Sequence, residues 1–419
     1  MGTEHKSAAA SAASASPAST AAPASQSRIR PWACADIARR LLSRAGALAA
    51  ALTERPVSLY AAAVLRIGYG LLYLAFLVRE FPHRDEIWGP GSAWTPELAE
   101  ELFDQTDWVS VLTLSDSRAY FEVCYAVAVV TCVLFTLGWR TRAVSVLFAA
   151  VVASFHARAI FMTDGGDNLI LLMAVYLVLT ACGRRWSLDA RRARLRTSEG
   201  GAPKWRAGPA GVAGQVGPAG PVGPVGPVGP ASPVRNGFGA QLRDTRTTLV
   251  TVLHNCGMFV IAAQVCVLYG SAGLYKVQGS SWGNGTALHY VLNLDLFRPW
   301  PALSLMADGH TTLITVVGYL TVLLQVAFPF VLFGRLKYPV LALLLGMHIG
   351  IAVFMGLPLF SGAMIIADAV FLPDRFYRFL GRLWRRTPPQ DEAVVARPPR
   401  DGTVTVPSQP GPVAVQSVR

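Results

Sequence analysis

Apolar residues run along this chain in blocks of about the length that a bilayer asks of a helix, roughly 20 residues with a range of about 17 to 25. The blocks cover 57–79, 120–138, 143–161, 167–183, 249–275, 311–334, 339–356 and 357–372. Each predicts an apolar helix, and together they predict an all-α fold, a polytopic membrane bundle of about eight transmembrane helices. The last block is short. Pro358 stands in its first turn, where the missing N–H would have no helical partner anyway.

The stretches between the blocks divide the chain further. Residues 1–30 are an Ala/Ser/Pro-rich tract without the continuous apolar run of a signal peptide, and they read as disordered. Residues 31–55 set Arg39, Arg40 and Arg44 against Ile37, Leu41 and Leu42, a basic amphipathic pattern suited to the inner membrane face. Helices one to four fall in 56–190 and helices five to eight in 248–373. The connecting segment, 191–247, repeats glycine at every third position from Gly208 through Gly229, mostly as G-P-V. So short a repeat between apolar blocks reads as an extended cytoplasmic spacer, not a collagen triple helix. Residues 374–419 form an Arg/Pro-rich cytoplasmic tail in which no soluble domain is expected.

Composition supports a membrane setting. The 419 residues are 53% hydrophobic and 15% charged, against about 25% charged in soluble domains, which excludes an ordinary cytosolic enzyme. The net charge of +12 then reads as basic loops beside anionic lipid, with no nucleic-acid partner expected. Segment 1–56 holds seven Lys/Arg, and 184–248 holds eleven against three acids. Loop 80–119 holds nine acids and two basic residues. Placing the basic loops inside gives both termini in the cytoplasm and a multi-pass protein of the plasma membrane. The six cysteines include no C-x-x-C pair, so neither a metal site nor a disulfide framework is expected.

The chemistry-bearing residues then lie mainly on the outer side. The acidic loop, with Trp88, Trp94 and Trp108, reads as an interfacial aromatic belt with solvated carboxylates. Thr163–Asn168 (TDGGDN) reads as a tight turn with a helix N-cap. Lys276 stands out because 33 of the 37 cations are Arg, and it alone of the four lysines ends a helix on the outer side. Either it snorkels to the interface, or it serves as a base, a role that arginine cannot fill. His348, near mid-span, is either a bonded structural histidine or an intramembrane functional group. Arg66 in the first span and Asp368 in the last read as a structural ion pair.

RIGYGLLYL in the first span, GGDNLILL and GRRWSLDARRA around the fourth, and AGLYKVQGSSWGNGTALHYVL at the end of the fifth carry a resemblance. They resemble the bacterial horizontally transferred transmembrane (HTTM) proteins, a family similar to the membrane domain of vitamin K-dependent γ-glutamyl carboxylase. The resemblance covers roughly Pro56 to Pro373. It implies a reduced naphthoquinone cofactor of vitamin K or menaquinone type, with Lys276 as the base that deprotonates it and His348 helping to bind or polarise reacting groups. Asp167 falls where the carboxylase has a further histidine, and Trp282, Asn168 and Gly166 stand in the matched motifs as substrate-contacting positions. No metal is implied. The function so implied is quinol-linked carboxylation, or other modification, of an exported peptide. A non-catalytic membrane scaffold for maturing or secreting such a peptide is the alternative. A transporter is disfavoured by the lack of an internal repeat.

Overall fold

The computed structural model describes residues 52–200, 238–332 and 334–384, with Ser43, Gly46, Ala47 and Ala50. The 1–30 tract, most of the basic amphipathic segment, the G-P-V spacer and the end of the tail lie outside the described residues. Among the described residues every regular element is helical. Leaving single turns unlabelled, the helices are α1 (Leu59–Glu80), α2 (Pro96–Thr106), α3 (Arg118–Leu137), α4 (Thr141–Arg158), α5 (Gly165–Leu179), α6 (Leu188–Gly200) and α7 (Phe238–Gln278). They continue with α8 (Ala287–Asn293), α9 (Pro301–Asp308), α10 (Thr311–Val331), α11 (Lys337–Phe354), α12 (Pro358–Asp368) and α13 (Asp374–Trp384).

Each apolar block forms a helix, but they differ in their fitness to cross a bilayer. Five are long and apolar enough: the run that starts with α1, then α3, α7, α10 and α11. The apolar helices Gly165–Leu179 and Pro358–Phe371 are shorter. At 1.5 Å per residue, the 15 residues of α5 reach about 22 Å, less than a hydrocarbon core of about 30 Å. α4 is 18 residues long but carries Arg142, His156 and Arg158.

Contacts divide the chain into two units. The smaller takes Met1–Pro56 and Val222–Cys256; within it, the Asn255 side chain donates to the carbonyls of Leu52 (2.9 Å) and Arg55 (3.0 Å). The larger takes Val57–Pro221 and Gly257–Arg419, and α1 lies at its centre. Leu65, Tyr69, Tyr73 and Leu77 recur at helical spacing and are buried. Two glycines let neighbours approach on opposite sides of α1. A methyl group on Gly68 would lie 2.7 Å from Ile366 of α12, and one on Gly70 would lie 2.4 Å from Thr136 of α3.

The ends of the helices are held by specific groups. Gly138 ends α3 in the left-handed conformation (φ 71°), and its N–H donates to Leu134 O at 2.9 Å, a glycine stop of the usual kind. The Asp189 carboxylate of α6 caps α4, accepting from the Arg140 N–H (3.0 Å), the Thr141 N–H (2.7 Å) and the Thr141 hydroxyl (2.7 Å). Burial opposes ionisation of Asp189, but these bonds hold its carboxyl below the usual carboxylate range.

The acidic loop is not a simple belt. Trp88 is only 3% exposed and belongs to the main core, its ring edge-on to Phe76 and Phe155. Ala99 and Phe103 of α2 pack on Ala157 of α4, with Trp94 alongside. Arg84 forms a two-pronged ion pair with Glu122 (2.8 and 3.1 Å) that ties the loop to α3. Only Trp108 fits the interfacial expectation. The apolar rings here have a core to enter, which the alternation of acids and aromatics along the sequence did not disclose.

Candidate functional site

Met258, Ile261, Val265 and Tyr269 of α7 are buried and follow one another at intervals of three or four, so they share a face. The same face passes through Gly273 to Lys276, seven residues beyond Tyr269 and two turns further along. Gly273 allows α10 to come close, since a methyl group there would lie 2.8 Å from Val326. The Tyr269 ring stands edge-on to Phe328 of α10, with centroids 4.7 Å apart.

At the Tyr269 hydroxyl three helices meet. Oη donates to Asp368 Oδ2 at the end of α12 (2.9 Å) and lies 3.0 Å from His348 Nε2 of α11. Since the phenol has one proton, His348 Nε2 carries the hydrogen in this arrangement and donates to Oη. The three residues are 1%, 2% and 8% exposed. His348 Nδ1 and Asp368 Oδ1 are buried and have no hydrogen-bond partner among the described residues. The Phe360 ring of α12 faces the imidazole, with centroids 5.9 Å apart.

Lys276 is half-buried. Its Nζ sits 5.4 Å from the centroid of the Trp282 ring, a cation–π contact. Its one hydrogen bond is a long one to Ala272 O (3.5 Å). Two residues that the motif pairs in sequence are thus brought together in space.

The GGDN positions serve the backbone. Asp164 Oδ1 accepts from the N–H groups of Gly166 (2.6 Å) and Asp167 (3.0 Å), and Asp167 Oδ2 accepts from the Asp164 N–H (2.9 Å). This reciprocal capping box opens α5. Asn168 Nδ2 donates to Asp164 O (2.9 Å). A methyl group on Gly166 would lie 2.8 Å from Phe360 Cα, so this glycine seats α5 against the residue that faces His348. Asp167 also lines a cavity of about 170 Å³ with Tyr73, Arg79, Glu80, Trp88 and His156. That volume is below the roughly 300 Å³ at which ligand pockets begin, and neither Lys276 nor His348 reaches it.

The expected Arg66–Asp368 ion pair is corrected by the structure. Arg66 is 0% exposed, and its guanidinium donates to Cys182 O (3.0 Å) and Trp186 O (2.5 Å). Asp368 bonds to Tyr269 instead. The fork of the guanidinium matches two carbonyls of the turn after α5, which no inventory of charged residues contains. Tyr269 was missed by sequence reasoning altogether. Its one signal was the spacing of seven from Lys276, which puts it on the same helix face. No family model, curated protein or solved structure matches this chain.

Proposed function

We propose that this is a multi-pass plasma-membrane protein with eight passes and both termini inside, and that it oxidises a reduced naphthoquinone with Lys276 as base. Five membrane-length apolar helices and the sign of the loop charges support the membrane placement. α13 fits the inner interface: Arg375, Arg378 and Arg382 share one side, while Phe376, Phe379, Leu380 and Leu383 are exposed on another. Lipid is therefore the first partner.

The observation that carries the chemical reading is the setting of Lys276. It is half-buried and lies over Trp282, with a single long hydrogen bond. The residues fit a quinol, since Nζ, held by no more than a 3.5 Å bond to Ala272 O among the described residues, can turn to meet a hydroxyl, and Trp282 beside it offers a ring to a flat bicyclic partner. The bound quinol would supply an acidic hydroxyl and two electrons. In its neutral form Lys276 would take the proton at Nζ and Trp282 would orient the ring, with dioxygen as the acceptor of the two electrons. The HTTM-type resemblance links this step to modification of an exported peptide by carboxylation. Asp167 is absorbed in its capping box, so no step of that reaction is assigned to it.

The test is oxygen-dependent oxidation of reduced naphthoquinone by the purified protein. Lys276→Arg and Lys276→Ala are expected to lose activity by a factor of about 100 or more while keeping the fold. Equal rates for wild type and Lys276→Arg would overturn the catalytic reading and leave the membrane scaffold in its place.

A further inference from the structure

We infer that Tyr269, His348 and Asp368 form a buried proton relay, in which the Tyr269 phenol hands a proton between the Asp368 carboxyl and the His348 imidazole. Geometry carries this. Tyr269 is bonded to both other groups at 2.9 and 3.0 Å, and a phenol can donate and accept through a single atom while staying neutral. Carboxyl and imidazole are the groups that bind and release protons, and they come from two different helices, α12 and α11.

The unpartnered atoms point the same way. A network kept only for packing gains by satisfying every buried polar atom, because an orphaned buried group is costly. Here the two orphans are the outer ends of the chain, Asp368 Oδ1 and His348 Nδ1. Those are the atoms through which a proton would enter and leave.

The step balances without an oxidant or reductant. Starting from a protonated Asp368, the Oδ2–H bond breaks as a new Tyr269 Oη–H bond forms. The original Oη–H bond breaks as the His348 Nε2–H bond forms. One proton has moved from carboxyl to imidazole, and the phenol is unchanged. The reverse step restores the start. His348 faces Tyr269 and Phe360. Asp368 faces Tyr269, and the nearby phenol of Tyr69 is engaged elsewhere, its hydroxyl donating to Ala363 O at 2.8 Å. The relay depends on these side chains and not on the quinol reading, which can fail while the relay stands.

The test is temperature-jump infrared spectroscopy on the full-length protein in nanodiscs of phosphatidylethanolamine and phosphatidylglycerol. Asp368→Asn and His348→Gln assign the protonated-carboxyl and imidazole bands. In wild type the two bands are expected to change reciprocally with one relaxation rate. Tyr269→Phe, which removes only the hydroxyl, is expected to slow that relaxation by about a hundredfold. An unchanged rate in Tyr269→Phe, or independent bands in wild type, would overturn the relay. Should Tyr269→Phe not fold, 3-fluorotyrosine at position 269 alters the acidity of the phenol and keeps its hydrogen bonds. The relay requires the rate to shift there, and an unshifted rate overturns it.

Discussion

A guanidinium in an apolar helix needs acceptors for its N–H groups; the two terminal nitrogens of Arg66 find two carbonyls, and Nε finds none among the described residues. Arg66→Leu leaves both carbonyls without this donor and is expected to destabilise the protein by about 2–4 kcal/mol, read from denaturant midpoints in micelles. Because Asp368 belongs to another network, a double-mutant cycle between Arg66 and Asp368 should show a coupling of no more than about 0.5 kcal/mol. A larger value would restore the ion pair. Asp189 gives a pH-dependent case. Its carboxyl is held low in the folded protein, so its stabilisation is present above the unfolded value of about 3.9 and is lost as pH falls through the folded value. Acid titration of wild type against Asp189→Asn should therefore converge once pH has fallen through the folded value, with a difference of about 1 kcal/mol at neutral pH. The charged residues were all visible in the sequence. Their acceptors were not, because Cys182 O and Trp186 O are backbone groups whose position only the fold decides.

Among the elements, α1 shows how glycine sets helix spacing. Gly70→Ala forces a methyl group against Thr136 and is expected to cost about 1–3 kcal/mol. Gly346 in α11 has nothing within 4 Å of the added carbon, so Gly346→Ala should instead stabilise by about 0.5–1 kcal/mol. Thermal melts of both variants check the contrast, and equal shifts would refute the packing account. The helices themselves were largely legible, as the 57–79 block and Leu59–Glu80 illustrate, since apolar runs of that length have few other structures open to them. The start of α7 was less so. Its helix begins at Phe238, well before the apolar block at 249, through residues such as Arg243 and Arg246 that favour helix without being apolar. The TDGGDN turn was read correctly as a cap, because Asp and Asn at a helix start have a local reason to be there.

At the scale of the whole molecule, the orientation is open to cysteine labelling with an impermeant reagent. Cys256, an exposed native thiol, is first replaced by serine. Exposed Glu101 of α2 and Arg194 of α6 are then the sites to convert, whereas buried Ser92 would stay unreactive on either side. Glu101→Cys should label in intact cells and Arg194→Cys only after permeabilisation; the opposite pattern would invert the topology. Arg66 also bears on how such a molecule is made. Its acceptors lie 116 and 120 residues later in the chain, a distance covered in on the order of ten seconds at ordinary elongation rates. Through that interval the first apolar helix has been synthesised while its guanidinium still lacks both carbonyls, so early release into lipid is disfavoured. Photocrosslinking of stalled ribosome–nascent chains should find α1 beside the insertion machinery until Trp186 has emerged, and Arg66→Leu should let it depart sooner. One buried cation is thereby expected to tie the release of α1 to the synthesis of the turn after α5.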